Sequence, residues 1–77
     1  MMIKQAVGIR IRQLRTEKKI SQEQLSLLSG LDRTYIASVE NGHRNITVQS
    51  LEKVIKALDT SFAEFFSNFT KETDHEI

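Results

Sequence analysis

The sequence predicts an all-α domain built from five short helices. Its 77 residues include no proline and only three glycines, and no segment alternates apolar and polar residues for long, which argues against β-strands. Apolar residues instead recur at helical spacing, and capping signals interrupt that periodicity at short intervals. Connections of about two to five residues leave no room for a sheet.

The first helix is expected over residues 3–18. Its apolar residues follow the spacing of one buried stripe and are Ile3, Val7, Ile11 and Leu14. The same segment carries six Lys and Arg residues between Lys4 and Lys19, against the single acid Glu17, although the net charge of the chain is only +1. A basic face is typical of phosphate-binding proteins, but a solvated charged helix explains the same pattern.

The second helix is expected to begin after Ser21. Ser21 with Gln24 three residues later matches a capping box, in which the two residues satisfy each other's backbone amides. Leu25 and Leu28 are expected to point toward the core. Gly30 can adopt the left-handed conformation that ends a helix.

The third helix is expected to begin at Asp32, whose carboxylate can cap the first backbone amides. Ile36 and Val39 lie three residues apart and therefore share one helix face. Gly42 is expected to end this helix, again in the left-handed conformation.

Two more helices complete the domain. Thr47 is expected to cap the fourth helix, whose apolar stripe consists of Val48, Leu51, Ile55 and Leu58. Ser61 and Glu64 form a second capping-box pattern at the start of a short fifth helix, and four phenylalanines crowd one side of it: Phe62, Phe65, Phe66 and Phe69. One domain is therefore expected over residues 1–69, followed by a polar, disordered tail over residues 70–77.

The composition argues against several classes of protein. There is no cysteine for a disulfide or a thiolate metal site, and His43 and His75 have no helix-spaced partner for zinc. We therefore expect no metal and no cofactor. No apolar run approaches the ~18 residues of a membrane span, and the N-terminus has no signal-peptide core, so a cytoplasmic protein without membrane attachment is expected. Without a nucleophile–base pair or a glycine-rich phosphate loop, catalysis is not expected.

The most informative stretch is residues 21–42. A short capped helix, a tight turn at Gly30 and Leu31, and a second short capped helix satisfy the sequence requirements of a helix-turn-helix. In such a motif the second helix projects its N-terminal, outward-facing residues beyond the body of the protein, where they can enter the major groove of DNA.

Four candidate DNA contacts lie on this second motif helix. Arg33 can donate two hydrogen bonds to one guanine, while Thr34 and Tyr35 can bond phosphates or touch a thymine methyl group. Ser38 is small enough for the helix to sink into the groove. A solvated Arg33 and a Tyr35 that packs on neighbouring helices are the alternatives at these two positions.

Three further candidates flank the helix. Gln22 opens the first motif helix, where free backbone amides can meet a phosphate. Arg44 and Asn45 belong to the polar loop after the second motif helix, and Arg44 can reach a base edge, the adjacent minor groove or a phosphate. Glu40 is expected to bond within the domain, to Arg10 or Arg15, rather than to DNA.

Several runs of residues together resemble the Cro/C1 (Xre-type) helix-turn-helix family. They are Ile11-Arg12-x-Leu14-Arg15, Ser21-Gln22-Glu23-Gln24-Leu25, Ser29-Gly30-Leu31, Tyr35-Ile36-x-x-Val39-Glu40-x-Gly42-x-Arg44 and Leu51-x-x-Val54-x-x-Ala57-Leu58. Within that family, the residues from Leu31 to Ile36 and from Arg44 to Thr47 are similar to the controller proteins of type II restriction–modification systems.

The resemblance implies a five-helix, lambda-repressor-like DNA-binding domain. It further implies a homodimeric transcriptional regulator that binds a palindromic operator on double-stranded DNA, often as two dimers, and activates or represses its own promoter and that of the endonuclease. The residues that contact DNA in such proteins correspond to Arg33, Thr34, Tyr35 and Arg44, and Gln22 corresponds to a phosphate contact.

A homodimer is also expected from size, because a chain this short buries only ~60% of its unfolded surface and often needs a partner subunit. Phe65, Phe66 and Phe69 are the candidates for the dimer interface; the alternative is that all of them cover the monomer core. Two other functions stay open. One is a phage-type repressor or antitoxin, and the other is a helical protein-interaction module that does not bind DNA.

Overall fold

The computed structural model describes residues 2–67 and 69, and this part of the chain contains five α-helices and no strand. The helices are α1 (Ile3–Glu17), α2 (Gln22–Ser29), α3 (Arg33–Glu40), α4 (Val48–Ala57) and α5 (Phe62–Phe65). The predicted all-α class and the order of its five helices are confirmed. None of these helices is long and apolar enough to cross a membrane. The tail predicted over residues 70–77 lies outside the described residues.

Side-chain caps begin three of the helices. The backbone N–H of Gln24 donates to Ser21 Oγ at 3.0 Å, and the backbone N–H of Ser21 donates to Gln24 Oε1 at 2.8 Å, which completes the predicted capping box of α2. Thr47 Oγ1 accepts from the backbone N–H of Ser50 at 3.0 Å at the start of α4. The hydroxyl of Ser61 caps α5 in the same way. These starts depend only on residues within one turn of each other.

One apolar core lies between the helices. Its buried residues come from all five helical segments and are Val7, Ile11, Leu14, Leu25, Ile36, Val39, Leu51, Val54, Ile55, Leu58 and Phe65. Helix α1 packs on α3, α2 packs on both α3 and α4, and α5 packs on α4. Helix α3 is therefore held between two neighbours, with its remaining side free.

Four positions differ from the predicted pattern. Ile3 and Val48 are 50% and 78% exposed, because they line the open rim of a shallow cavity of about 190 Å³ at the N-terminal ends of α1 and α4. Leu28 is 61% exposed, since it lies at the edge of the contact between α2 and α4. Asp32 precedes α3, but its side chain makes no capping hydrogen bond.

The carbonyl groups at the end of α5, a helix of a single turn, are bound by a side chain of α1. The guanidinium of Arg10, on α1, donates to the carbonyl of Phe65 at 2.8 Å and to the carbonyl of Glu64 at 2.9 Å. Carbonyls at the end of a helix need such partners. Of the four phenylalanines, only Phe62 and Phe65 lie on α5, and Phe66 is its C-terminal cap.

Helices α1 and α3 approach each other so closely at Gly8 that no side chain fits between them. A Cβ atom at this position would lie 3.1 Å from Glu40 Cα and would overlap the carbonyl oxygen of Val39. Both obstacles belong to the backbone of α3, so neither can rotate away as a side chain does. The position of α3 on the domain therefore depends on glycine at residue 8.

Replacing Gly8 with alanine is expected to lower the free energy of unfolding by about 2 kcal/mol, because overpacking forces α1 and α3 apart. In an unconstrained helix interior the same change raises stability by about 1 kcal/mol. Urea denaturation monitored by circular dichroism measures the difference. Lys53→Ala, at an exposed position of α4, is the control and should change stability by about 0.5 kcal/mol or less. A Gly8→Ala variant as stable as the wild type would contradict the close helix contact.

Candidate nucleic-acid interface

Local hydrogen bonds hold the turn between α2 and α3. Gly30 has a φ of 78°, in the left-handed region, as its position predicted. The hydroxyl of Ser26 donates to the carbonyl of Leu31, and Ser29 Oγ accepts from the backbone N–H of Leu31 at 3.2 Å. Leu31 also packs against the core. These contacts define where α3 begins relative to α2, which is the geometry of a helix-turn-helix.

Helix α3 is apolar on one face and polar on the other. Ile36 and Val39 are 3% and 1% exposed and anchor the helix to the core. Arg33 and Thr34, at its N-terminus, are exposed, and Ser38 is half-buried one turn further on. The first turn of α3 therefore presents polar side chains to the outside, where the sequence predicted them.

Tyr35 joins α3 to the loop that follows it. Its half-buried ring packs against the core, and its hydroxyl accepts a hydrogen bond of 3.2 Å from the backbone N–H of Thr47. The guanidinium carbon of Arg44 lies 5.0 Å from the centroid of the ring. Arg44 and Asn45 are both exposed. The structure thus brings Tyr35 and Arg44 together and leaves Asn45 on the surface beside them.

A buried carboxylate connects the first three helices. Glu40 is 4% exposed and accepts hydrogen bonds from Arg15 Nε at 2.8 Å, Gln22 Nε2 at 3.1 Å and Arg12 Nε at 3.3 Å. Burial by itself raises the pKa of Glu40, but these hydrogen bonds and the charge of Arg15 outweigh it and hold the pKa below its ordinary value of 4.5. Of the two arginines predicted as partners of Glu40, Arg15 is confirmed, whereas Arg10 binds carbonyls of α5 instead.

Gln22 therefore has a partner inside the domain. Its side-chain amide nitrogen has two N–H groups, and Glu40 takes one of them. Beside it, the half-exposed Arg12 also donates to Asn41 Oδ1 at 3.1 Å. Sequence reasoning did not single out Arg12. Its i, i+3 spacing to Arg15 was the signal that both arginines share one helix face.

The arginines of α1 are used largely within the fold. Arg10 binds the carbonyls that end α5, while Arg12 and Arg15 both bind Glu40. Half of the six basic residues between Lys4 and Lys19 thus stabilise contacts between helices. The basic segment is therefore neither a free phosphate-binding face nor a simply solvated one.

One predicted interface residue is buried inside the monomer. Phe65 is 0% exposed in the single chain, so its side chain has no surface left for a second copy. For Phe65 the structure therefore agrees with the alternative, coverage of the monomer core, rather than with the predicted dimer interface. Phe66 and Phe69 are only partly buried and lie edge to face, with ring centroids 4.9 Å apart. Phe62, which the predicted interface left out, is 41% exposed.

The fold and the motif geometry agree with a known protein family. A family model described as helix-turn-helix matches residues 11–65, which run from the middle of α1 to the end of α5. The chain belongs to the Cro/C1-type helix-turn-helix family. In this helix-turn-helix protein, α2 and α3 are the two motif helices, and the resemblance found in the sequence motifs is confirmed.

Several relatives of this helix-turn-helix protein are controller proteins. Control protein C.MunI from Mycoplasma sp is 42% identical over 71 residues, which are 91% of this chain and 96% of that protein. The restriction-modification controller protein C.AhdI from Aeromonas hydrophila is 47% identical, with a TM-score of 0.77 over 80% of this chain and 94% of its own. The controller protein C.Esp1396I, solved as a tetramer in complex with its natural 35 base-pair operator, is 42% identical, with a TM-score of 0.79 over 83% of this chain and 84% of its own.

Proposed function

We propose that this protein is the controller protein of a type II restriction–modification system. It binds a palindromic operator as a homodimer and regulates its own promoter and that of the endonuclease. The observation that carries the proposal is the two-sided character of α3, which exposes Arg33 and Thr34 while Ile36 and Val39 anchor it to the core. Identities of 42% to C.MunI and 47% to C.AhdI support the assignment to controller proteins.

The first turn of α3 reads the base sequence in this proposal. Arg33 donates to guanine O6 and N7 in the major groove, and Thr34 beside it bonds a phosphate or touches a thymine methyl group. Ser38 lies one turn further along and is small enough for close approach of the helix. Tyr35 lies between this surface and the following loop.

The flanking residues position the protein on the DNA backbone. The N-terminus of α2 directs free amides outward, and the second N–H of the Gln22 side chain is oriented by the bond of the first to Glu40. On the other side of α3, Arg44 and Asn45 extend from an exposed loop toward a phosphate or the adjacent minor groove. Phosphate contacts of this kind set register and orientation on the duplex.

A homodimer places two copies of α3 in successive major grooves, about 34–36 Å apart. Phe66 and Phe69 remain the proposed interface residues, and Phe62, at the start of α5, is a third partly exposed phenylalanine. The C.Esp1396I tetramer on a 35 base-pair operator supports two homodimers side by side on one operator. The protein is expected to act in the cytoplasm, where its promoters lie.

A selection from random duplex DNA, sequenced at stated salt concentrations, tests the proposal. Enrichment of an inverted repeat with half-sites about one helical turn apart is the expected result. If no sequence is enriched and the protein also fails to bind duplexes at low salt, the proposed function is overturned. A protein-interaction module would give that negative result.

The Arg33→Ala variant is expected to bind the selected operator about 1–3 kcal/mol more weakly and to lose sequence preference at one base position in each half-site. Gln22→Ala serves as the contrast, because loss of a phosphate contact lowers affinity evenly across sequences. Titration of a panel of single-base operator variants by fluorescence anisotropy measures both effects. An even loss across the panel for Arg33→Ala would make Arg33 a phosphate contact instead.

A further inference from the structure

The guanidinium of Arg44 lies over the ring of Tyr35. The 5.0 Å between the Arg44 guanidinium carbon and the ring centroid is within the range of a cation–π interaction. Arg44 makes no hydrogen bond and no ion pair within residues 2–67 and 69. A contact with the face of a ring uses none of the five N–H donors of an arginine, so none of them is taken up by the part of the chain that the structure describes.

Tyr35 is held in place on two sides. Its half-buried ring packs against the core. Its hydroxyl accepts from the backbone N–H of Thr47 at 3.2 Å, and Thr47 in turn caps α4 through Ser50. The ring is therefore a rigid support beneath a long and flexible side chain.

We propose that Tyr35 is a positioning residue that orients Arg44 for the operator, and that it contributes to binding chiefly through Arg44. The inference rests on the proposed function, because it concerns how the same surface meets DNA. An arginine that must be ordered on binding loses rotamer freedom at that moment. A side chain ordered in the free protein avoids much of this loss, which raises affinity.

Two substitutions of Tyr35 separate positioning from direct contact. Tyr35→Phe keeps the aromatic face beneath Arg44 and removes the hydroxyl. Tyr35→Leu keeps apolar bulk against the core and removes the aromatic face. Cooperative urea unfolding at wild-type midpoints confirms that each variant folds, so that changes in binding reflect the surface alone.

The free protein gives the first readout, which does not depend on DNA. A proton above an aromatic ring resonates upfield, so the δ protons of Arg44 are expected upfield of their ordinary NMR positions in the wild type and in Tyr35→Phe. In Tyr35→Leu the upfield shift should disappear. Arg44 δ protons at ordinary positions in the wild type would overturn the inference.

The second readout is affinity for the inverted repeat enriched from random duplex DNA. Tyr35→Phe is expected to bind within about twofold of the wild type, and Tyr35→Leu about two- to fivefold more weakly, the range of an exposed cation–π contact. In an Arg44→Ala background, Tyr35→Leu should cause no further loss. Equal losses for the two Tyr35 variants, or a loss that persists without Arg44, would show that Tyr35 acts on DNA directly.

The two readouts distinguish failure of the inference from failure of the proposed function. If the wild type enriches no duplex, the proposed function is wrong, and the NMR readout by itself decides whether Tyr35 orients Arg44. If a repeat is enriched but the variants show a direct Tyr35 contact, the proposed function stands and the positioning role is rejected.

Discussion

Replacing Phe65 with alanine is expected to lower the free energy of unfolding by about 4 kcal/mol. Phe65 is fully buried in the single chain, and its ring lies 4.9 Å from the ring of Phe66, centroid to centroid. Truncation removes the transfer free energy of a complete aromatic ring and leaves a cavity beneath α5, and such changes cost about 3–5 kcal/mol. Because small domains have only about 5–15 kcal/mol of total stability, this loss is a large fraction of the whole.

The matched control is Phe62→Ala, at the other end of the same helical turn. Phe62 is 41% exposed, so its truncation should lower the stability of the monomer by about 1 kcal/mol or less. Urea denaturation and sedimentation equilibrium on both variants separate folding from self-association. A Phe65→Ala variant with wild-type unfolding but weaker self-association would restore Phe65 to the dimer interface.

Replacing Glu40 with alanine is expected to cost about 3–5 kcal/mol, the second large effect. The change leaves the guanidinium of Arg15, whose side chain is only 12% exposed, without its carboxylate. An ion pair broken on one side leaves a charge in an environment that solvates it poorly. The same change removes the acceptor of Gln22, so contacts between α1, α2 and α3 are lost together.

Glu52→Ala is the control for the loss of a carboxylate. The Glu52 side chain is 53% exposed, and its nearest cation, Lys56, lies 4.0 Å away. Solvent screens such a pair, so the expected change is within about 0.5 kcal/mol. Urea denaturation at neutral pH measures both variants. Similar small changes at the two positions would show that the buried network contributes little to stability.

The Glu40 network also makes stability depend on pH. The pKa of Glu40 is lowered in the folded protein from its ordinary value of 4.5. Its contribution is therefore complete above pH 4.5 and is lost as the pH falls through the lower pKa of the folded state. Comparison of the wild type with Glu40→Gln isolates this group, because the other carboxylates are common to both. The stability difference should shrink as the pH falls below 4.5; a constant difference down to pH 3 would contradict an ionised, stabilised Glu40.

Helix starts and the turn of the motif were predictable from the sequence because they depend on neighbours along the chain. Ser21 and Gln24 satisfy each other's amides within one turn, and Gly30 is suited by its lack of a Cβ atom to the left-handed position after α2. The outward position of Arg33 likewise follows from the spacing of Ile36 and Val39 on the opposite face of α3. Periodicity is sufficient for such conclusions.

Contacts between distant residues were not predictable in the same way. The partners of Glu40 lie 18 to 28 residues away in the sequence, and Arg10 reaches a carbonyl 55 residues away. No local pattern indicates which of several arginines faces which acceptor. The burial of Phe65 is likewise a result of how α5 packs on α4, which its local spacing does not indicate.

The sequence by itself determined the helical class, the place of the helix-turn-helix and the polar face of α3, because capping and periodicity act over a few residues. The tertiary structure alone decided which arginine of α1 binds which acceptor, that Gln22 is shared with Glu40, and that Arg44 lies over Tyr35. The close contact at Gly8 is also a tertiary result. These features depend on how helices and loops pack against one another, which no pattern within a few neighbouring residues specifies.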